Sequence, residues 1–551
     1  MTLSLVAPTL VLAAPLLLLS VGLVPTTWAN ARPRLMARLC GAASWLAFLS
    51  ALMAAVAHLL VSSSSWTLYS IDLPGDLGTF ALGTYVNSVT VIMLVLVSFV
   101  GAVVTRYARN FLDGDPNRSR FYQWLALTLA AILTLIVSGN LLMFALAWIA
   151  TSLCLHQLLM FYRERPAAVL AAHKKFIASR ISDLSLLVAI FLIGFTLQSL
   201  QFDEIFSMMA SMQGPLPMSL EVAALLIVLS AGLKSAQFPF HGWLLQVMEA
   251  PTPVSALLHA GIVNAGAFLV IRMSPILSHS ELALGVLAVV GLITLGLASL
   301  VMLTQTSIKV SLAWSTTAQM GFMLLECGLG LYSLAMLHLV AHSLYKAHAF
   351  LASGSGVDGF RAPAIPYASH GSEPVRLSLA LVGGGLITVA VGAAFGVTAL
   401  QEPALLAVSA VVAIAVSQLL LQTAAVTSGG VFLLRGLGLS ILITVIYFTL
   451  HALFETALHG SVLPVRDAAS PFQFALALLI VLVFLALSVL QQVLKHNPAA
   501  LGDGLYMHLY NGLYIDVYIT RMLQRLWPSP TPIPETEPAP FSPVPPPGGR
   551  A

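Results

Sequence analysis

The sequence predicts an all-α polytopic membrane protein, on three observations. Hydrophobic residues make up 59% of the 551 residues and charged residues only 8%, whereas soluble domains carry about 25% charged residues. Apolar runs of about 20 residues, the length that crosses a hydrocarbon core, recur through most of the chain. These runs are too long for barrel strands. Helices are then the only spanning structure that satisfies every backbone polar group in lipid.

About fifteen spans are expected, at residues 3–25, 36–62, 86–108, 121–139, 140–162, 177–199, 219–246, 253–275, 283–304, 308–327, 330–356, 376–399, 404–428, 431–456 and 472–494. The first run is expected to be a retained helix. Ala29-Asn30-Ala31 resembles a signal cleavage site, but no positive charge precedes the run and it is too long for a signal peptide. Arg32, Arg34 and Arg38 follow it. Further clusters fall in alternate loops: Arg106, Arg109, Arg118 and Arg120, then Arg163, Arg165, Lys174 and Lys175, then Lys309, then Arg361 and Arg376, then Lys495. The intervening loops hold Asp72, Asp76, Asp203, Glu204, Glu326 and Glu402, with Arg272 and Arg466 as exceptions. Positive charge stays on the cytoplasmic side. The expectation is a multi-pass protein of a bacterial inner membrane, with its N-terminus periplasmic and its C-terminus cytoplasmic.

The chain divides into N-terminal helices (1–120), a transport module (121–499), an interfacial or partner-docking helix (500–526) and a disordered proline-rich tail (527–551). Tyr506, Tyr510, Tyr514 and Tyr518 recur every four residues, which puts them on one helical stripe facing lipid headgroups or a partner. Cys40, Cys154 and Cys327 lack paired spacing and read as core residues. The net charge of +3, with no basic tract, gives no sign of nucleic acid. No nucleotide loop, iron–sulfur pattern, zinc-ligand spacing or nucleophile motif is present, so no cofactor is expected in this chain and no chemistry of its own.

Charge within a bilayer costs several kcal/mol, so ionisable residues there pair with one another or serve function. Lys234 precedes Gln237, Pro239 and His241. Proline breaks the hydrogen-bond ladder, and a lysine beside a broken helix lines a wet cavity in many transporters. Desolvation weakens an ammonium's hold on its proton and favours exchange near neutral pH; the other reading is a lysine snorkelling from a helix end. His338, His342 and Lys346, spaced by four, share one helical face and suit a proton wire. His348 lies on another face. Thr252-Pro253 suits a helix start, which puts His259 two turns in. Arg180 and Asp183 are helical neighbours, either a local ion pair near the interface or a means of tuning a nearby lysine.

Lys234-Ser235-Ala236-Gln237 followed by Pro251-Thr252-Pro253-Val254-Ser255-Ala256-Leu257-Leu258-His259 resembles the hallmark of the antiporter-like subunits of respiratory complex I and of multisubunit cation/proton antiporters. Thr304 to Lys309, Ala313-Trp314-Ser315-Thr316, Gln319-Met320-Gly321 and His338 to Ser355 are similar to it as well. So are Gly139-Asn140-Leu141-Leu142 and Trp148 to Tyr162. The resemblance spans roughly residues 80–460 and is strongest to the large distal complex I subunit. It implies two inverted repeats, each with a broken helix, joined by a polar axis. Lys234 would be the central lysine, His259 the connecting histidine, and His338, His342 and Lys346 the bridge to the second repeat. Asp183 and Arg180 would match the sixth-helix pair, and Lys309 the conserved loop lysine.

Departures from the family pattern are also informative. Pumping members place a glutamate directly after the fifth-helix tryptophan; here that residue is Ile149. His156, seven residues on and about 10 Å along the axis, is expected to replace part of the lost acid. Ser307 and Val310 stand where an acid and an arginine are usual. After Arg376 the span to 399 holds no Lys, Asp, Glu or His, where the family's second broken helix carries a lysine beside an acid. The residues after 494 are too few for the long lateral helix of the complex I subunit. This incomplete pump resembles the membrane subunits of two-part inorganic carbon pumps. That resemblance implies a large soluble zinc partner, DabA, similar to a β-carbonic anhydrase, which proton flow would drive to convert carbon dioxide into bicarbonate. The alternatives are a complex I subunit, a cation/proton antiporter subunit and a scaffold with a dead channel.

Overall fold

The computed structural model describes residues 3–60, 64–75, 78–353, 373–396, 403–425, 430–465, 471–496 and 502–527. Asp76, Arg361, Glu402, Arg466, the motif end Gly354-Ser355 and the tail from 528 lie outside them. The chain opens with α1 (Leu3–Gly22), a short α2 (Thr26–Ala31) and α3 (Pro33–Leu60). An antiparallel hairpin of β1 (Ser64–Asp72) and β2 (Thr79–Val86) follows. Then come α4 (Ser88–Phe111), α5 (Arg118–Val137), α6 (Leu141–Leu159), α7 (Pro166–Leu197) and the short α8 (Phe202–Ser211).

The central stretch is the irregular one. Helix α9 (Met218–Lys234) stops, and the chain resumes as α10 (Gly242–Gln246). Next, α11 (Thr252–Leu257), a π-helical turn (Leu258–Ile262) and α12 (Ala265–Arg272) make one buried span. After α13 (Ser274–Leu277) come α14 (Glu281–Met302), α15 (Ile308–Gly328) and α16 (Tyr332–Leu351). The last large helices are α17 (Glu373–Ala394), α18 (Pro403–Ala425), α19 (Gly430–Leu458) and α20 (Pro471–His496). Two short helices, α21 (Gly502–Tyr510) and α22 (Ile515–Leu526), end the described chain.

Among the described residues, eleven helices are long and apolar enough to cross a membrane. The expected count of fifteen included four runs that fall short of this. Of α1, only Ala7–Gly22 bears on this count. The run 219–246 is split by the break after Lys234. Helices α15 and α16 carry the polar residues of the site described below.

The hairpin was not anticipated; residues 62–86 read as a loop. Its signal is the strand-like Ser65-Trp66-Thr67-Leu68-Tyr69-Ser70-Ile71 followed by a turn whose Gly75 and Gly78 take positive φ, 76° and 83°. The hairpin is tied to the bundle: Gly139 N donates to the Gly83 carbonyl at 3.0 Å, and the Asn140 side chain to that of Thr79 at 2.9 Å. Asn140 also caps α6 by accepting from Leu142 N and Met143 N.

Apolar side chains cannot drive helices together in lipid, so close backbone packing does more of the work. Helices α14 and α15 meet through glycines. A Cβ on Gly321 would sit 2.7 Å from the Gly291 carbonyl oxygen, and one on Gly328 2.6 Å from Ala288 N. The expected tyrosine stripe over 500–526 does not form. Leu513 and Tyr514 both take left-handed backbone, φ 58° and 60°, and break the segment in two. Tyr506 and Tyr510 stack at 6.1 Å, while Tyr518 belongs to the second helix.

A valine at Gly321 has nowhere to go against α14. Gly321→Val is expected to lower membrane abundance several-fold, whereas Gly385→Ala, with open space around it, should leave abundance unchanged. Fluorescence-detected size exclusion of tagged protein compares them, and equal abundance of the two variants would remove close packing as the cause.

Candidate functional site

The site begins where α9 ends. Ala236 takes φ 51°, a left-handed value that a residue with a Cβ adopts only when its surroundings hold it. Those surroundings are visible. Ser235 Oγ donates to the Val263 carbonyl at 3.0 Å, Gln237 N to that of Gly232 at 3.0 Å, and Phe238 N to Thr294 Oγ1 at 3.1 Å. The unwound backbone is thereby pinned to α14 and to the span beside it. Gly266 is needed here because Ser235 and the Ala231 carbonyl occupy the space a Cβ would take.

Lys234, at the last turn of α9, is buried. Its Nζ lies 4.3 Å from the centre of the Trp148 ring and 3.5 Å from the Trp148 carbonyl oxygen. A cation over an indole face, desolvated, is worth about 2 kcal/mol. Ile149 follows that tryptophan and offers no charge. The nearest carboxylate is on α7: Asp183, buried and ion-paired with Arg180 at 2.6 Å, and within electrostatic reach of Lys234. Helices α7 and α9 are joined at the same level by Ser182 Oγ and Ser230 Oγ at 2.9 Å.

His259 sits in the π-helical turn, fully buried, stacked on Phe350 at 4.3 Å with both ring nitrogens free of hydrogen bonds. Single π turns often mark functional sites. From there the polar groups continue on α16. His342 is buried with both nitrogens unbonded, and its ring lies 6.2 Å from His338. Lys346 Nζ donates to Ser315 Oγ at 2.8 Å and to the Leu312 carbonyl at 3.2 Å. His259 lies within electrostatic reach of Lys346. The α16 face predicted from the four-residue spacing therefore forms, and His348 points away and is exposed.

Two expected residues sit elsewhere. Among the described residues, Lys309 reaches Thr252 Oγ1, at 3.5 Å. His156 stands beside His173 (6.4 Å between rings) and Phe176 (5.3 Å), toward the arginine- and lysine-rich end rather than against Lys234. Along α6, the position nearer Lys234 belongs to Ser152, which binds a different cation.

That cation, Lys175, was read as a loop charge. It is buried in α7, donating to Ser152 Oγ and to the Ser152 carbonyl, both at 2.9 Å, and it senses Lys234 and Asp183. Its neighbour Lys174 turns about 100° away, as consecutive helical residues do. Glu326 was also read as a loop residue. It lies buried in the last turns of α15, its Oε2 2.9 Å from His338 Nδ1, while Gln319 Oε1 is 2.8 Å from Nε2. Among the described residues, no group of His, Cys, Asp and Glu is placed to hold a metal ion.

Residues 138–361 match the family model described as NADH:quinone oxidoreductase/Mrp antiporter, TM, and residues 75–122 that of the complex I chain 5 N-terminus. A probable inorganic carbon transporter subunit DabB2 of Halothiobacillus neapolitanus is 44% identical over 522 residues, covering 94% of each chain. A probable DabB of Hydrogenovibrio crunogenus is 48% identical over 274 residues, half of this chain and 53% of the relative. A chloroplastic NAD(P)H-quinone oxidoreductase subunit 5 of Ranunculus macranthus is 37% identical over 53% of this chain and 39% of its own. The fold is similar to that in the Mrp complex of Dietzia, with a TM-score of 0.55 and 21% identity over 95% of this chain and 58% of that one.

Removing the Glu326 side chain leaves the half-buried His338 short of a partner, at a cost of about 1 kcal/mol. Glu326→Ala is expected to melt earlier than Glu326→Gln, which keeps an acceptor. Thermal-shift measurements in detergent check the order. Equal losses would mean that charge, not the hydrogen bond, is what α16 requires there.

Proposed function

This chain belongs to the DabB family of inorganic carbon transporter subunits, and on that premise we propose that it is the proton-carrying membrane half of an inorganic carbon pump. Protons enter at the periplasmic side of a bacterial inner membrane, pass along His338, His342, Lys346 and His259, and reach Lys234. Their release towards the cytoplasm biases a soluble zinc subunit of the DabA type to convert carbon dioxide into bicarbonate. The chain itself is a transport subunit without catalytic chemistry; the zinc belongs to the partner.

One observation carries this reading. A buried lysine stands at a helix break in the same bundle as a buried His259, His342 and Lys346, yet the acid that would pair with it in a pump is an isoleucine. A pump must return to its starting charge state against a gradient and needs a strong counter-charge to do so. A downhill conduit needs only a site that loads and unloads. The absence of any Lys, Asp, Glu or His from 377 to 399 fits the same logic. Coupling then requires that membrane and soluble subunits share conformational states, so that proton occupancy of one shifts the other.

In cells that depend on this system for growth in air, Lys234→Ala is expected to abolish bicarbonate accumulation, as an uncoupler does in the wild type. The variant protein should remain in the membrane with its partner bound. Carbon uptake retained in Lys234→Ala would take the lysine out of the mechanism. Co-purification with flavin- and iron-containing subunits in place of one zinc protein would assign the chain to a quinone oxidoreductase.

A further inference from the structure

The C-terminal helices α21 and α22 form a strap that runs back over the arginine- and lysine-rich end of the break. Three fastenings hold it. Gly512 lies under Trp314, where a Cβ would stand 3.0 Å from the indole ring, and Gln305 Nε2 donates to the Tyr510 carbonyl at 3.1 Å. At the far end, Trp527 stacks on His173 at 4.4 Å. Between these, Asp516 accepts from Lys174 Nζ on both carboxylate oxygens, at 2.9 and 2.8 Å, and from Gln246 Nε2 at 2.9 Å.

Asp516 bridges the two sides of the break. Lys174 is on α7, which packs against α9; Gln246 ends α10, the resumed helix. The carboxylate presses on Gly242 so closely that a Cβ there would overlap it. Next to Gly242, His241 is buried between Phe238 and Trp314 (ring centres 3.8 and 5.1 Å away), its Nδ1 unbonded. The charge balance points the same way. This half of the site holds Lys174, Lys175, Arg180 and Lys234, and opposite them stands Asp183. Lys174 is 3% exposed and Asp516 23%, so the pair is shielded enough for its geometry to matter.

We propose that Asp516 is the positioning residue of the broken helix, the second carboxylate that Ile149 does not supply. By holding Lys174 and Gln246 together across Gly242, the strap fixes the angle at which α9 delivers Lys234 beneath Trp148. Asp516 acts through the break and carries no proton itself. The inference rests on the reading of Lys234 as the proton carrier.

The test measures bicarbonate uptake by the intact complex in cells, normalised to membrane abundance, for Asp516→Asn, Lys174→Met/Asp516→Leu and Lys234→Ala. Asp516→Asn keeps the shape and an acceptor for Gln246 while deleting the charge. Its maximal uptake rate is expected to fall about ten-fold or more, because small misplacements of a reacting group cost rate, with the inorganic carbon concentration for half-maximal uptake unchanged. The double variant removes the buried cation together with its partner, so it accumulates even where Asp516→Asn does not, and the same loss of rate is expected. A wild-type rate in either variant, with Lys234→Ala inactive, overturns the role of Asp516 alone. Full uptake in Lys234→Ala overturns the parent reading. A rise in half-saturation with maximal rate preserved would overturn the positioning role of Asp516, since that marks a strap that acts on substrate binding and not one that positions the lysine.

Discussion

A buried ammonium without a carboxylate beside it is the constraint on which the rest of this structure depends. Lys234 rests on an indole face and a single backbone carbonyl. Neither would hold a full charge in hydrocarbon, where an isolated ion costs several kcal/mol. The surrounding helices make up the difference at one remove. Asp183 lies within electrostatic reach but is already engaged by Arg180, and Lys175, which would oppose the charge, is drawn off by Ser152. The lysine is thus neither pinned as a cation by a dedicated partner nor forced to be neutral by an adjacent one. That lack of a dedicated counter-ion is what the proposed carrier role calls for and what a structural ion pair avoids.

The break serves that balance. An intact helix would satisfy its backbone and leave Lys234 pointing into packed side chains. Unwinding at Ser235–Gln237 frees backbone groups: Phe238 N finds Thr294 on α14, Gln237 N finds the Gly232 carbonyl of α9 itself, and the Ser235 hydroxyl ties the turn to Val263. The local fold is therefore determined by neighbours, and movement of α14 or of the π-helical span beside it would move the lysine. Packed interfaces switch between discrete arrangements rather than bending smoothly. A site pinned in this way transmits displacement in both directions, as linkage demands.

Much of this was legible in the sequence because membrane helices announce themselves by length and by the cost of every polar residue they contain. The His338, His342 and Lys346 face followed from spacing alone, and so did the break beside Pro239. What the sequence hid was direction. Lys174 and Lys175 are adjacent, so a loop-charge reading assigned them together, whereas a helix turns one to Asp516 and the other to Ser152. Glu326 lay near an expected helix end and passed for a loop charge; only the packing of α15 on α16 shows that it faces His338. His156 fitted the axis by periodicity but was displaced by that same Lys175, which fills the position nearer the lysine. The hairpin escaped notice because a two-stranded ribbon carries little hydrophobic signal within a chain dominated by apolar helices.

The imbalance between the two halves of the molecule is a physical argument about direction. From Glu326 to His259 every buried titratable group has a neighbour of its kind within one or two helical turns. Beyond Lys234 toward the strap, the groups are Lys175, Lys174, Asp516 and His241, and in the described part of α17 there are none after Arg376. On the proposed reading a proton that reaches Lys234 leaves toward the strap at the positively charged end, where the described polar side chains gather. Basic side chains crowd that end, and Asp183 and Asp516 are carboxylates placed among them, paired with Arg180 and Lys174. A membrane subunit wired in this way delivers its energy at one face, beside the segment that a soluble partner would meet first.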